Sequence, residues 1–413
     1  MLKRLKPSIL RSMAVCGIIG LLCLLLAACS SAPAPTVQEE SAATDAAASP
    51  TTEAMAIDDG FDRQALLANL TNNVIIPQLK NFVEQSAALE DAAHTFRDDP
   101  TEANLEAVQQ AWQATALAWK MCEFYELGSF RNQDDTLVSF MVVYNQIDKW
   151  PTNTDFIETL IDEQEMIDEP LVDSNGSTTK GLPAIEYIIF NPEGDNNSVL
   201  NTFVDAPNAE KRMQYLVAAT ENLHNKAELL LTIWAADGDN FAAMFINGNV
   251  NGGDPQASIS LLVNQMAAGL EDIVKRKIGH PLGKTSEAGV RPELVEAELS
   301  EISGQMLDKN LEGFAATFNG SGDVEPQLGF DDYLDYLDAE YEGQPLSTVI
   351  NDQIETTRAA LAAIDEPLHL AMENETEQVE QVYNEARKLI VLIKADMANH
   401  LAVTMTFNDS DGD

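Results

Sequence analysis

Basic residues are scarce in this chain. Its 413 residues include 24 lysines and arginines against 67 aspartates and glutamates, a formal net charge of −43. A surface this acidic repels phosphate, and binding nucleic acid needs clustered Lys and Arg, so nucleic acid is excluded as a partner. Cysteine is nearly absent. Cys16 and Cys23 lie in an N-terminal apolar stretch, Cys29 follows it, and Cys122 is the one further thiol, so the mature chain can form no intramolecular disulfide. Cys122 sits in an apolar helical pattern and reads as a buried structural thiol. Histidine occurs five times and never as His-Glu-x-x-His, which removes the usual helical zinc-protease site. There is also no Gly-rich phosphate loop and no Gly-x-Ser-x-Gly elbow. The apolar run from Met13 to Ala28 is too short for an ordinary membrane span.

That run has another reading. Lys3, Arg4, Lys6 and Arg11 precede it, and it ends in Leu26-Ala27-Ala28-Cys29. A positive n-region, a short apolar stretch and small residues before a cysteine resemble a bacterial lipoprotein signal. Cleavage before Cys29 would leave a diacylated or triacylated residue, and several acyl chains anchor stably. No Asp follows Cys29 to suggest inner-membrane retention. The expectation is an outer-membrane lipoprotein of a Gram-negative cell, facing the periplasm or the surface. Residues 1–28 hold four basic and no acidic groups, which leaves the mature chain at −47. Such a surface suits high salt or cation-rich surroundings, and bulk charge of this kind does not by itself specify a metal site.

Hydrophobic residues make up 45% of the chain, enough for a folded core. Residues 29–60 read as a lipidated cysteine and a disordered tether rich in Ala, Ser, Thr and Pro. From Phe61 onward the apolar period is helical almost throughout. One long helix is expected to about Phe96, kinked at Pro77. A second runs to about Leu127, and a third spans Lys211 to Trp234. Later helices are expected over 256–277, 293–317, 329–339, 346–364 and 375–404. Ala184 to Phe190 reads as a short buried helix. The fold class expected is all-α, with two packed helical-bundle domains over 61–250 and 251–405 and an acidic tail over 406–413. The tail's Asp409-Ser410-Asp411-Gly412-Asp413 mimics only the start of a calcium loop.

Two Glu-x-x-His strings occur, Glu221/His224 and Glu366/His369. Di-iron bundles use such pairs, but Pro367 breaks the second, and helix-end or surface histidines are the plainer reading. The segment Gly181-Leu182-Pro183-Ala184-Ile185-Glu186-Tyr187-Ile188-Ile189-Phe190 is more informative. A Glu set among Ile, Tyr and Phe is costly to bury unless it is paired, protonated or bound to a metal. A structural Glu bonded to backbone groups at a helix end fits the same pattern.

This segment resembles the signature of imelysin-like proteins, Gly-x-His-x-x-Glu followed by an aromatic and an apolar stretch. Trp112, Trp119, Glu123 and Gly128 resemble that family's Trp-rich helix. Ile147-Asp148-Lys149-Trp150-Pro151 resembles its Trp-Pro turn, and Lys277-Ile278-Gly279-His280-Pro281-Leu282-Gly283 its Lys-Leu-Gly-x-Pro-Leu-Gly. Glu296, Ser300 and Ser303 fall on its Glu-Ser-x-x-Ser-x-x-Ser, and Gly329 to Leu334 fit as well. The resemblance spans roughly residues 61–405. It implies an all-helical fold of two bundle-like domains with the signature near their interface. It also implies an envelope setting, an association with iron-regulated uptake, and a classification among metallopeptidases.

Pro183 stands where the family has its His, so the imidazole ligand is missing. Glu186 and Glu123 remain as candidate carboxylates for a hard cation such as iron(III), calcium or magnesium. Two carboxylates are a poor start for catalytic zinc, which argues against peptidase activity. Where the family often has Arg, three residues after Glu123, this chain has Glu126. By the same resemblance, Gly181 and Pro183 would shape the turn, Tyr187 belongs to the signature, and Trp119 would pack the site. Glu296 and Ser300 could approach from the second domain. The expected function is a binding or accessory component of iron or metal uptake, with an iron-uptake protein as partner. A metallopeptidase and a metal-free structural or interaction lipoprotein are the alternatives.

Overall fold

The computed structural model describes residues 59–406 apart from 133, 191–194, 251–252, 285–288 and 322–326. The signal segment, Cys29, the tether up to 58, residues 251–252 at the expected boundary and the tail from 407 lie outside the described residues.

Asp62 opens the first helix by accepting from the Ala65 amide, as a cap does for an otherwise orphaned donor. Helix α1 (Arg63–Asn69) runs through a π-helical segment, Leu70–Ile75, into α2 (Ile76–Asp98). The irregularity therefore precedes Pro77 and is not a kink at it. Proline has no N–H to give and its ring crowds the carbonyl four residues back. Pro77 sits in the first turn of α2, and the wider π turns lie just before it. Thr101 caps α3 (Glu102–Cys122) through the Asn104 amide. Helix α3 ends earlier than the apolar period predicts. It tightens into a 3-10 turn over Glu123–Tyr125, and a two-stranded hairpin follows, β1 (Ser129–Arg131) paired antiparallel with β2 (Leu137–Ser139).

Short helices then follow: α4 (Phe140–Ile147), α5 (Thr154–Glu163), α6 (Glu169–Ser174), α7 (Gly181–Ile189) and α8 (Asn196–Val204). The expected buried helix at Ala184–Phe190 is present as far as Ile189, and Phe190 leaves it in extended backbone. The long α9 (Ala209–Trp234) packs along α2, which packs on α3 in turn, and α10 (Phe241–Ile246) follows.

In the second half, α11 (Pro255–Asp272) continues through π turns to Gly279. The helix expected over 293–317 is not continuous. A 3-10 turn covers Pro292–Leu294, and α12 begins only at Ser303 (Ser303–Phe318). Between them Ala297 and Glu301 have φ of 53° and 61°, a left-handed backbone that cannot continue an α-helix. Helices α13 (Phe330–Tyr336), α14 (Leu346–Leu361), α15 (Leu368–Asn374), α16 (Thr376–Val391) and α17 (Ala398–His400) complete the chain, with a two-residue hairpin of β3 (Glu340–Tyr341) and β4 (Gln344–Pro345) before α14.

The fold is all-α. Helices α14 and α16 pack together, α12 lies against α3, and α1 lies against α11, so one apolar core runs through both halves. No described helix is long and apolar enough to cross a membrane.

Candidate functional site

Helix α3 buries Trp112, Ala116 and Trp119 on one face, and Lys120 falls on the same face. Its side chain is fully buried. The ammonium donates to Glu123 Oε1 at 2.9 Å, Asp148 Oδ2 at 2.6 Å and Glu296 Oε1 at 2.6 Å. Each acceptor arrives from a different irregular place. Glu123 opens the 3-10 turn after α3, Asp148 is the residue after α4, and Glu296 belongs to the left-handed turn before α12.

A second buried lysine completes the cluster. Lys277 lies in the π turns after α11 and donates to Glu123 Oε2 at 2.6 Å and Asn310 Oδ1 at 2.9 Å, with Glu296 Oε2 at 3.2 Å. The Asn310 amide returns bonds to Glu123 Oε2 and the Lys120 carbonyl. Trp119 Nε1 donates to Asp148 Oδ2 at 3.0 Å. Three carboxylates thus face two ammonium groups, each with several partners, which is the condition under which charges tolerate burial.

The titration of these groups follows. Burial disfavours charge on all of them. Against it, Lys120 and Lys277 hold Glu123 well below the usual carboxylate range and lower Glu296. Asp148, Glu123 and Glu296 hold Lys120 well above its ordinary value, again against burial. For Asp148, burial and the charges of Glu296 and Glu123 win over Lys120 and raise its pKa.

Glu186 lies beside this cluster on α7. It is buried, and its Oε1 accepts from the Ser300 amide at 2.8 Å. Burial, with Glu296 and Asp148 nearby, pushes its pKa up to about 7. None of the ion pairs among the described residues that hold the cluster together includes it. Gly181 starts α7 with φ of 75°, and a Cβ there would lie 2.2 Å from the Ile147 carbonyl oxygen. Only glycine lets α7 approach the end of α4, and Asp148 with it, this closely. Pro183 lies in the first turn of α7, where a missing N–H is tolerated.

The structure brings Glu123, Glu186, Glu296, Trp119 and Ser300 into one neighbourhood. Ser300 contributes both its backbone amide and its side chain to Glu186, and its hydroxyl also lies 3.3 Å from the Ala297 carbonyl. Tyr187 points elsewhere, donating to Glu158, which also pairs with Arg212. Sequence reasoning missed Lys120 and Asn310, and quoted Lys277 and Asp148 without giving them a role. Lys120 carried a signal, since it is a lysine on an otherwise apolar helical face.

A metal does not fit the centre of this cluster. Glu123, Asp148 and Glu296 have carboxylate oxygens close enough to share an ion. The Lys120 ammonium occupies that position and contacts all three. Both Glu123 oxygens are taken by lysines. No nitrogen ligand stands at Pro183.

A cleft of about 690 Å³ opens onto the cluster, lined among others by Trp119, Glu126, Tyr144, Lys149, Asp272 and Arg276. Arg276 lies over the Trp150 ring at 4.5 Å and is held by both oxygens of Asp272. Burial, then the Asp272 charge, raises the pKa of Glu126. The cleft is therefore mixed in charge, aromatic at its wall and closed at its floor by the two-lysine cluster.

Residues 75–393 match the family model described as Imelysin. The chain belongs to the imelysin family. Over 322 residues it is 24% identical to iron-regulated protein A of Synechococcus elongatus, covering 74% of this chain and 78% of that relative. Among solved structures it is similar to a protein assigned as an iron-regulated protein A precursor from Parabacteroides distasonis. That likeness has a TM-score of 0.66 at 18% identity and covers 82% of this chain and 95% of the other. An imelysin-like protein from Psychrobacter arcticum is similar at a TM-score of 0.64 and 16% identity, over 84% and 97% of the two chains. At these identities the structural likeness establishes the imelysin-like fold and nothing finer.

Proposed function

We propose that this imelysin-like chain is a lipid-anchored envelope protein that serves iron or other metal acquisition as a binding or accessory component. The lipobox-like sequence at Cys29 supports the anchor and an outer-membrane location. The names of the relatives support the iron association. The observation that carries a binding role is the cleft that opens onto the buried cluster. The concave, partly aromatic wall with a few fixed charges suits a ligand or a segment of an iron-uptake partner. Peptidase activity at the signature is disfavoured by Pro183 and by the lysine in the carboxylate centre, which leave no open metal position with an activated water in the buried cluster. Glu186, the carboxyl that the ion pairs pass over, is the residue through which a cation such as iron(III), calcium or magnesium would be met. A metal-free interaction lipoprotein is the second reading, favoured by the ammonium of Lys120 in the place of an ion.

Thermal melting of the metal-stripped protein, at constant high salt, separates these readings. A saturable shift with iron that disappears in Glu186→Gln supports the cation role, since selective binding to the native state stabilises by mass action. Equal small shifts from iron, zinc and calcium, unchanged by that substitution, favour the metal-free reading. Chelator-sensitive hydrolysis of an unstructured protein, abolished in Glu186→Gln, would overturn the proposal in favour of a peptidase.

A further inference from the structure

The string Glu221-x-x-His224 does not act as a unit. His224 turns its Nδ1 to Ser86 Oγ at 3.0 Å and its Nε2 toward Glu228 at 3.6 Å. Glu221 faces α2 instead, where Glu90 and His94 stand one turn apart. His94 Nε2 lies 3.6 Å from Glu90 Oε1 and 3.5 Å from Glu221 Oε1. The three donor atoms lie within 4.8 Å of one another, and all three side chains are partly open to solvent.

These separations are too long for good hydrogen bonds. They match coordination. A tetrahedral ion with bonds of about 2.1 Å sets its donors about 3.4 Å apart. Two carboxylates supply the charge that a dication balances, and an imidazole nitrogen suits a transition metal better than calcium or magnesium. The i,i+4 pair on α2 fixes two donors on one helical face, and the packed α9 supplies the third. Three protein ligands leave a fourth position for water.

We propose that Glu90, His94 and Glu221 form a surface site for a divalent transition-metal ion, separate from the buried lysine cluster. Arg97 opposes it in the ion-free chain. Its Nη1 donates to His94 Nδ1 at 2.8 Å, which keeps the ring proton on Nε2. Binding requires that proton on Nδ1 and the Nε2 lone pair on the ion, so Arg97 must swing out. It is well exposed and already bonded through Nε to Asp98.

Zinc is the probe. Calorimetric titration of metal-stripped protein, at constant high salt to suppress bulk cation attraction, should show one saturable event that depends on His94. His94→Ala and Glu221→Gln should abolish it. Arg97→Gln should tighten it, because the competing donor and its charge are gone. His224→Ala and Glu186→Gln should leave it in place, which separates this site from the buried one. No saturable heat, or an event unchanged in His94→Ala, overturns the proposal. These side chains lie on the surface, and retained helical circular dichroism in each variant shows that a lost event is not a lost fold.

Discussion

Glu296 Oε1 accepts from Lys120 Nζ at 2.6 Å, across 176 residues of sequence, with both side chains buried. This contact ties the end of α3 to the turn before α12. It joins the two halves of the chain through buried charge, beside the Lys277–Glu123 pair and the Asn310 bonds that cross between the same halves.

Removing Lys120 leaves Asp148 buried with no cation among the described residues, and Glu123 and Glu296 with Lys277 alone. Lys120→Met should therefore cost about 3–5 kcal/mol in urea unfolding. Adding Asp148→Asn to that variant should recover part of the loss, because the stranded charge is neutralised. A single-variant loss below about 1 kcal/mol would mean that solvent reaches the cluster.

Glu186 gives a pH dependence of known sign. Its folded pKa of about 7 lies above its ordinary value of 4.5, so between these values the folded chain holds a proton that the unfolded chain has lost. Stability should fall as pH rises from about 4.5 to about 7 and then level off, by at most about 3 kcal/mol from this group. Glu186→Gln mimics the protonated acid. It should flatten that slope and melt higher than the parent at pH 8. An unchanged slope would place Glu186 outside the low-dielectric interior.

Gly181→Ala should be destabilising by about 1–3 kcal/mol, since it combines a left-handed backbone with a Cβ against the Ile147 carbonyl. Melting temperature reads this directly. If alanine is tolerated without loss, the close approach of α7 to α4 is not required.

Cys122 is fully buried, and burial pushes its thiol pKa up. In the mature native protein it should resist alkylation at neutral pH and react once denaturant is added. Mass spectrometry after iodoacetamide treatment tests this, and rapid labelling of the native state would contradict the burial.

The sequence was sufficient for the fold class because helical period is a local property. The apolar spacing of α2, α3, α9 and α11 is visible within a few turns, and so are the caps at Asp62 and Thr101. Glu186 was legible for the same reason, as a lone carboxylate in an apolar run. The site itself was less so. Glu123 reads from sequence as a candidate metal ligand, but Lys120, Lys277 and Asn310 claim it from three separate segments. The continuous helix expected over 293–317 fails at Ala297 and Glu301. Their left-handed backbone belongs to the turn that carries Glu296 and Ser300 to Lys120 and Glu186. Likewise the pairing of Glu221 with His94 rather than His224 depends on how α9 lies along α2. Local spacing determines which residues share a helical face. Which charges meet between faces, and hence which carboxylates stay free, depends on contacts between residues far apart in the chain, and only packing decides it.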